Sequence, residues 1–104
     1  IMVYVNNMAD DDNTFPTGSI SNPISGQTVN GMVSFSVSAN DNSGISEVNF
    51  LVENEIAFTD NEAPYVYEWD TSSFASGDEV VLSASITDNS GNTTTLQPIM
   101  VIIE

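Results

Sequence analysis

The sequence predicts an all-β fold, an antiparallel β-sandwich of about seven strands. Apolar and polar residues alternate over short segments, as they do in strands that bury one face. Clusters of Asp, Asn, Ser, Gly and Pro separate these segments, which is typical of the turns of a sandwich. No segment has a helical period of apolar residues. The chain has 104 residues, of which 40% are apolar, and this suits one globular domain with one core.

The first three strands lie in the first half of the chain. A short strand at Gly18–Ser21 ends at the turn signal Asn22-Pro23. Met32–Ala39 alternates apolar residues with serines, so we expect it to bury one face. A turn of Asp, Asn, Ser and Gly follows, and Ile45–Glu53 is the third strand. Its inward residues are predicted to be Val48, Phe50 and Val52.

Four further strands complete the predicted sandwich. Ile56–Thr59 is a short strand that follows a turn at Glu53-Asn54-Glu55. The next strand places Tyr65, Tyr67 and Trp69 on one face. After a longer crossing, Glu79–Thr87 has the pattern of a buried strand, and a last strand covers about Thr93–Ile103. The inward residues of the sixth strand are predicted to be Val80, Leu82, Ala84 and Ile86.

The charge balance is the strongest deviation from ordinary composition. The chain has 15 Asp and Glu residues and no Lys, Arg or His, for a net charge of -15. No carboxylate can form a side-chain ion pair, so each must be solvated, accept hydrogen bonds or bind a metal cation. Nucleic acid and anionic membranes are unsuitable partners, because no side chain can neutralise phosphate. No apolar run approaches the ~20 residues that span a bilayer, so we expect no membrane insertion.

The residue types present also argue against catalysis. Without His, Lys or Cys there is no conventional base for a Ser or Thr nucleophile, no thiolate and no usual zinc ligand. Acidic pairs such as Glu53 with Glu55, or Asp60 with Glu62, resemble glycosidase acids, but they lie in turns with no obvious substrate cleft. We therefore expect that the protein is not an enzyme.

An internal repeat divides the chain. Ile1–Val5 resembles Ile99–Ile103, which is the natural last strand of the sandwich. We interpret residues 1–7 as the last strand of a preceding repeat or as a donated strand, 8–16 as an acidic linker, and 17–104 as the sandwich domain. The expected partners are adjacent repeats or identical subunits, bound through these terminal strands.

Outward apolar residues support an interaction of the terminal strands. If Val101 faces the core, Met100 and Ile102 point outward, and Met2 and Tyr4 do so in the first copy. Three hypotheses account for these outward apolar residues. A neighbouring module covers them in the full protein, or Ile1–Val5 inserts into another subunit and builds a filament, or they form a modestly apolar surface without a partner. The filament hypothesis predicts that assembly stops when residues 1–7 are deleted.

Several motifs resemble one known family. They are Asn22-Pro23 with Gly26 and Gly31, the run Ala63-Pro64-Tyr65 followed by Trp69-Asp70-Thr71, and the turn from Asp88 to Gly91-Asn92. Together they are similar to the bacterial Ig-like repeats of large secreted and cell-surface proteins, over roughly residues 16 to 103. The resemblance implies an immunoglobulin-like sandwich, export to the extracellular space or cell surface, and a role as spacer or adhesion module. The sequence departs from the family at Glu53-Asn54-Glu55, where an Asp-Gly turn is usual, and in its lack of Lys and Arg.

A calcium site is predicted at one end of the sandwich. Because antiparallel strands alternate in direction, alternate loops share an end. This places seven of the carboxylates together, namely Asp10, Asp11, Asp12, Asp41, Asp60, Glu62 and Asp88. In calcium-dependent relatives the acidic linker and the Asp…Gly-Asn turn hold ions between modules, and Asn92 matches that turn. Ca²⁺ takes ~6–8 oxygen ligands, which Asp, Asn and Ser turns supply. The alternative is that these acidic turns are only solvated.

The aromatic strand has two interpretations. Tyr65, Tyr67 and Trp69 could form a platform for sugar rings, which would make the domain a carbohydrate-binding accessory module with a surface glycan as partner. Their spacing also matches an inward face, and aromatic residues dominate the packing of cores. We expect core packing, with most of the Trp69 ring buried between the sheets.

Overall fold

The structure is a computed structural model that describes residues 14–104, in which every regular element is a β-strand. Nine strands lie in this range: β1 (Thr17–Asn22), β2 (Thr28–Val29), β3 (Met32–Asn40), β4 (Ile45–Val52), β5 (Glu55–Asp60), β6 (Tyr65–Asp70), β7 (Glu79–Asp88), β8 (Thr93–Thr95) and β9 (Ile99–Ile103). Within this range the molecule has no helix that could cross a membrane.

Two sheets pack face to face as an immunoglobulin-like sandwich. The smaller sheet has the order β1-β3-β6, and the larger has the order β2-β9-β7-β4-β5, with β8 paired to β7. All pairs are antiparallel except β2 with β9, which is parallel. The predicted all-β sandwich is confirmed.

The core consists of the inward residues of both sheets, as the alternating pattern predicts. Phe35 on β3 meets Phe50 on β4 edge to face, with ring centroids 4.9 Å apart, and both side chains are 0% exposed. Trp69 is 3% exposed, so the prediction that its ring is buried is confirmed. The other fully buried apolar side chains include Val48, Val80, Leu82, Ala84, Ile86 and Val101.

The strand count differs from the prediction in two places. The short strand β2 has no alternating pattern, and only its pairing with β9 defines it. The predicted last strand, Thr93–Ile103, is two strands, because residues 96–98 interrupt it. Leu96 still donates its N–H to the Ala84 carbonyl at 2.8 Å, but Pro98 has no N–H to continue the ladder.

The β4–β5 hairpin turns at the position where the sequence departs from the Ig-like repeats that it resembles. Glu53 and Asn54 both have positive φ, 53° and 67°, as the two central residues of a type I′ turn require. The Glu53 N–H donates to the Val81 carbonyl at 2.9 Å, and Glu53 Oε2 accepts the Val81 N–H at 2.7 Å. These two bonds to β7 help to hold a glutamate in a conformation that it rarely adopts.

The strand directions define two ends of the sandwich. The first end carries the loops at 41–44, 61–64 and 89–92 and the start of β1, since Thr17 pairs with Asn40 and Ile45 pairs with Asp88. The second end carries the turns at 53–54 and 71–78 and the end of β9, where Gly77 N–H donates to the Ile103 carbonyl at 2.7 Å. The described domain therefore begins at its first end and finishes at its second.

Replacing Trp69 with Ala should lower the free energy of unfolding by about 3–5 kcal/mol, because a large cavity would be left between the sheets. Urea unfolding followed by circular dichroism measures this loss. The matched control is Ile24→Ala, since Ile24 is 70% exposed and its removal leaves no cavity. Equal losses in the two variants would contradict the packing described above.

Candidate functional site

The acidic loops gather at the first end as the topological argument predicts. The 41–44 loop and the 89–92 turn are joined by Asn89, whose N–H donates to the Gly44 carbonyl at 3.0 Å and whose side-chain amide donates to the Ser43 carbonyl at 2.8 Å. Gly44 has φ +93°, and a Cβ there would lie 2.7 Å from Asn89 Nδ2. Two DNSG turns that are far apart in the sequence therefore form one surface.

Asp88 lies inside this surface and is only 1% exposed. Its Oδ1 accepts the N–H groups of Ser90 at 3.0 Å and Asn92 at 2.8 Å. Its Oδ2 accepts the Asn92 side-chain amide at 3.1 Å. Three donors thus occupy the carboxylate that was predicted as a metal ligand, and they close the turn between β7 and β8.

Asp41 uses only one of its carboxylate oxygens in the same way. Its Oδ2 accepts the Ser43 N–H at 2.9 Å and the Ser43 hydroxyl at 2.8 Å. Its Oδ1 is buried and has no hydrogen-bond partner among residues 14–104. A buried oxygen without a donor is costly, so this atom has the strongest need for an outside partner at the first end.

Asp60 and Glu62 also lie at the first end, but the Asp60 carboxylate accepts hydrogen bonds from residues that follow it in the chain. Asp60 Oδ1 accepts the Glu62 N–H at 3.2 Å, and Oδ2 accepts the Val66 N–H at 3.3 Å. The Asp60 carboxylate therefore braces the connection from β5 to β6. The Glu62 side chain is exposed.

The predicted metal residues do not all come together in the described part of the chain. Within residues 14–104 no group of three or more Asp, Glu, His or Cys side chains could hold a metal ion. Asp10, Asp11 and Asp12 lie outside the described residues, as does Ile1–Val5. The calcium site, the donated strand and the division at residues 7 and 16 therefore stay predictions.

The Trp69-Asp70-Thr71 motif has a structural role at the second end. Thr71 is 2% exposed, and its hydroxyl donates to the Gly31 carbonyl at 2.8 Å, which ties the crossing between β6 and β7 to the start of β3. Asp70 Oδ1 accepts the Ser72 N–H at 2.9 Å. Bonds from the Ser72 N–H and hydroxyl lower the pKa of the Asp70 carboxyl below its ordinary value.

The aromatic strand is not an exposed sugar platform. Trp69 is buried, and Tyr65 and Tyr67 are half-buried against the core. Tyr67 stacks on Phe58 of β5, with centroids 5.3 Å apart and 16° between the ring planes. Phe58, which is 40% exposed, was not among the residues that the sequence predicted to pack with the aromatic strand. Its place opposite Phe50 on the neighbouring strand could have indicated this contact.

A groove opens at the second end, where β5 and β6 are the facing edges of different sheets. It has a volume of about 380 Å³ and is lined by aromatic residues on one side and carboxylates at its rim. The residues that matter for its chemistry are Glu53, Glu55, Tyr67, Trp69, Asp70 and Phe74. Glu53 and Glu55 were predicted only as a pair of acids in a turn, and the groove was not predicted.

The chain is similar to known bacterial modules. A family model described as bacterial Ig domain matches residues 16–81. Fibronectin(III)-like modules of Clostridium thermocellum CbhA are 26% identical, with a TM-score of 0.72 over 85% of this chain and 97% of theirs. The endo-beta-1,4-mannanase from Thermotoga petrophila is 18% identical, with a TM-score of 0.67, over 90% of this chain but 21% of its own, and shows the fold alone. No curated protein matches the chain.

Replacing Asp88 with Ala should lower the free energy of unfolding by about 2–4 kcal/mol, because the donors on Ser90 and Asn92 would lose a buried acceptor. Thermal and urea unfolding measure the change. Glu79→Ala removes the same charge from an exposed side chain and is the matched control. A loss of the same size in the control would show that charge, rather than the hydrogen bonds, is responsible.

Proposed function

Because the chain belongs to the bacterial Ig domain family, we propose that it is a non-catalytic structural module of a larger extracellular bacterial protein. Its role would be to space or present neighbouring domains, as a spacer or adhesion module does. Adjacent modules of the same kind, joined through the terminal segments, are the partners that this role requires.

The positions of the first and last strands of the described sandwich support this proposal. β1 starts at the first end, beside Asn40, and β9 finishes at the second end, beside Asp78. A chain that enters at one end and leaves at the other extends the protein by the length of a sandwich. Modules linked in this way form a linear array, whereas modules with adjacent termini would branch from it.

The chemistry of the chain supports a non-catalytic role. It has no His, Lys, Arg or Cys, so imidazole-base, Schiff-base and thiolate mechanisms have no residues to use. At the first end Asp41, Asp60 and Asp88 accept hydrogen bonds from their own loops. These groups build turns, and the turns hold the sandwich.

Stiffening of the junction by Ca²⁺ is a second part of the proposal. The buried Asp41 Oδ1 has no donor among residues 14–104, and the acidic run Asp10–Asp12 is joined to β1 by only a few residues. A cation shared by these groups would remove repulsion in a chain of net charge -15 and order the linker to a preceding module.

An accessory role beside a carbohydrate-active enzyme is the second candidate function. The mannanase of Thermotoga petrophila contains a region of this fold, which occupies 21% of its chain. This candidate requires no sugar contact by the module itself, and the burial of Trp69 favours spacing over glycan stacking.

Two copies of the chain joined end to end should form an elongated particle, because each copy adds its long axis to the first. Small-angle scattering should give a maximum dimension about twice that of one copy. A single copy is the control. A compact pair, with a maximum dimension close to that of one copy, would contradict the spacer proposal.

Ca²⁺ at millimolar concentration should raise the melting temperature, because an ion that binds only the folded state stabilises it. The Asp41→Asn variant should lose most of this gain, whereas Glu79→Gln, with the same change in charge, should keep it. Equal melting temperatures in Ca²⁺ and in chelator would refute the proposed binding of Ca²⁺ and leave the spacer proposal intact.

A further inference from the structure

The groove between β5 and β6 lies where two sheet edges meet without a covering strand from residues 14–104. Within this range β5 pairs only with β4 and β6 only with β3, so the described part of the chain leaves the space between the sheets open at this side. Phe74, carried by the 71–78 crossing, packs edge to face on Trp69, with centroids 5.8 Å apart. Both residues line the groove. Its volume of about 380 Å³ is within the range of small-ligand sites.

Aromatic rings form the inner wall of the groove. Tyr67, Trp69 and Phe74 all line it, and stacking on Phe58 fixes the orientation of Tyr67. The faces of aromatic rings carry negative electrostatic potential, and their edges carry positive potential. A wall of this kind attracts flat apolar groups and cations.

Three carboxylates surround this aromatic wall. Glu53, Glu55 and Asp70 lie at the rim, and all three side chains are exposed. Two are held in place, because Glu53 Oε2 accepts the Val81 N–H at 2.7 Å and Asp70 Oδ1 accepts the Ser72 N–H at 2.9 Å. The chain has no Lys, Arg or His anywhere, so their counter-charge must come from another molecule.

Charge and shape select the occupant. A second copy of this chain also carries a net charge of -15 and has no cationic side chain to offer. A neutral sugar supplies no counter-charge for the three rim carboxylates. A guanidinium group is flat, stacks on aromatic rings and binds carboxylates through paired N–H donors. It matches both the wall and the rim.

We propose that the groove binds an arginine side chain presented by a basic partner protein. The guanidinium lies against the aromatic wall and donates to the rim carboxylates, chiefly Glu55 and Asp70. This site goes beyond the spacer role, because spacing neighbouring domains does not use it. It lies at the second end of the sandwich, between β5 and β6.

The test is a titration of the ¹⁵N-labelled chain with the peptide acetyl-Gly-Arg-Gly-amide at 0.15 M salt. We expect saturable shifts, with a Kd of about 1–5 mM, confined to residues around the groove. They should include the indole N–H of Trp69, the single tryptophan. The same peptide with citrulline, the uncharged analogue of arginine, is the ligand control and should give no saturable shift.

Two double variants separate this site from general attraction to an acidic protein. Glu55→Gln with Asp70→Asn removes two charges at the rim, and Glu47→Gln with Glu62→Gln removes two charges elsewhere. The first pair should weaken binding at least about fivefold, and the second should change it by less than about twofold. Phe74→Leu, checked for folding by its melting curve, should also weaken binding.

Three results would overturn the proposal. They are equal losses in the two double variants, shifts spread over the acidic loops of the first end, and equal binding of the citrulline peptide. Each of these results would show that the net negative charge of the protein attracts the peptide and that the groove does not bind it specifically. None of them bears on the spacer role, which the scattering experiment tests independently.

Discussion

The contact between Phe35 and Phe50 is the interaction on which the rest of the structure depends. Phe35 lies on β3, the central strand of the smaller sheet, and Phe50 lies on β4 of the larger sheet. The pair joins the two sheets with ring centroids 4.9 Å apart. Once these faces meet, the period of two along each strand decides which side chains are buried. The loops are then excluded from the core and pushed to the two ends, where all the features with functional interest lie.

A chain without cationic side chains must satisfy its carboxylates by other means, and here backbone N–H groups take the place of salt bridges. The same arrangement recurs in loop after loop: a carboxylate accepts N–H groups from residues nearby in its own turn. The residues that do so are Asp41, Asp60, Asp70, Asp78 and Asp88. Acidic residues therefore build the turns. The buried Asp41 Oδ1, which has no donor among residues 14–104, and the exposed carboxylates of the groove rim are the places where we propose that outside cations bind.

The candidate sites were partly predictable. Alternate loops share an end in any antiparallel sandwich, so the meeting of Asp41 and Asp88 follows from strand order alone. The sequence could not show that Asp88 is 1% exposed and already holds three donors, because those donors depend on how tightly the turn closes. The groove was missed because Phe74 lies in a crossing with no regular pattern, and its contact with Trp69 appears only in three dimensions.

The sequence by itself determined the class of fold and the faces of the strands, because alternation of apolar and polar residues is a local signal that each strand carries independently. It also determined that no ion pair between side chains forms, since the chain has no Lys, Arg or His. Only the tertiary structure decided which donors each carboxylate meets, where Pro98 breaks the last strand, and that a groove remains between β5 and β6. These features depend on contacts between segments that are distant in the sequence, such as the hydrogen bond from the Asn89 side chain to the Ser43 carbonyl across 46 positions. A local pattern of apolar and polar residues does not predict such contacts.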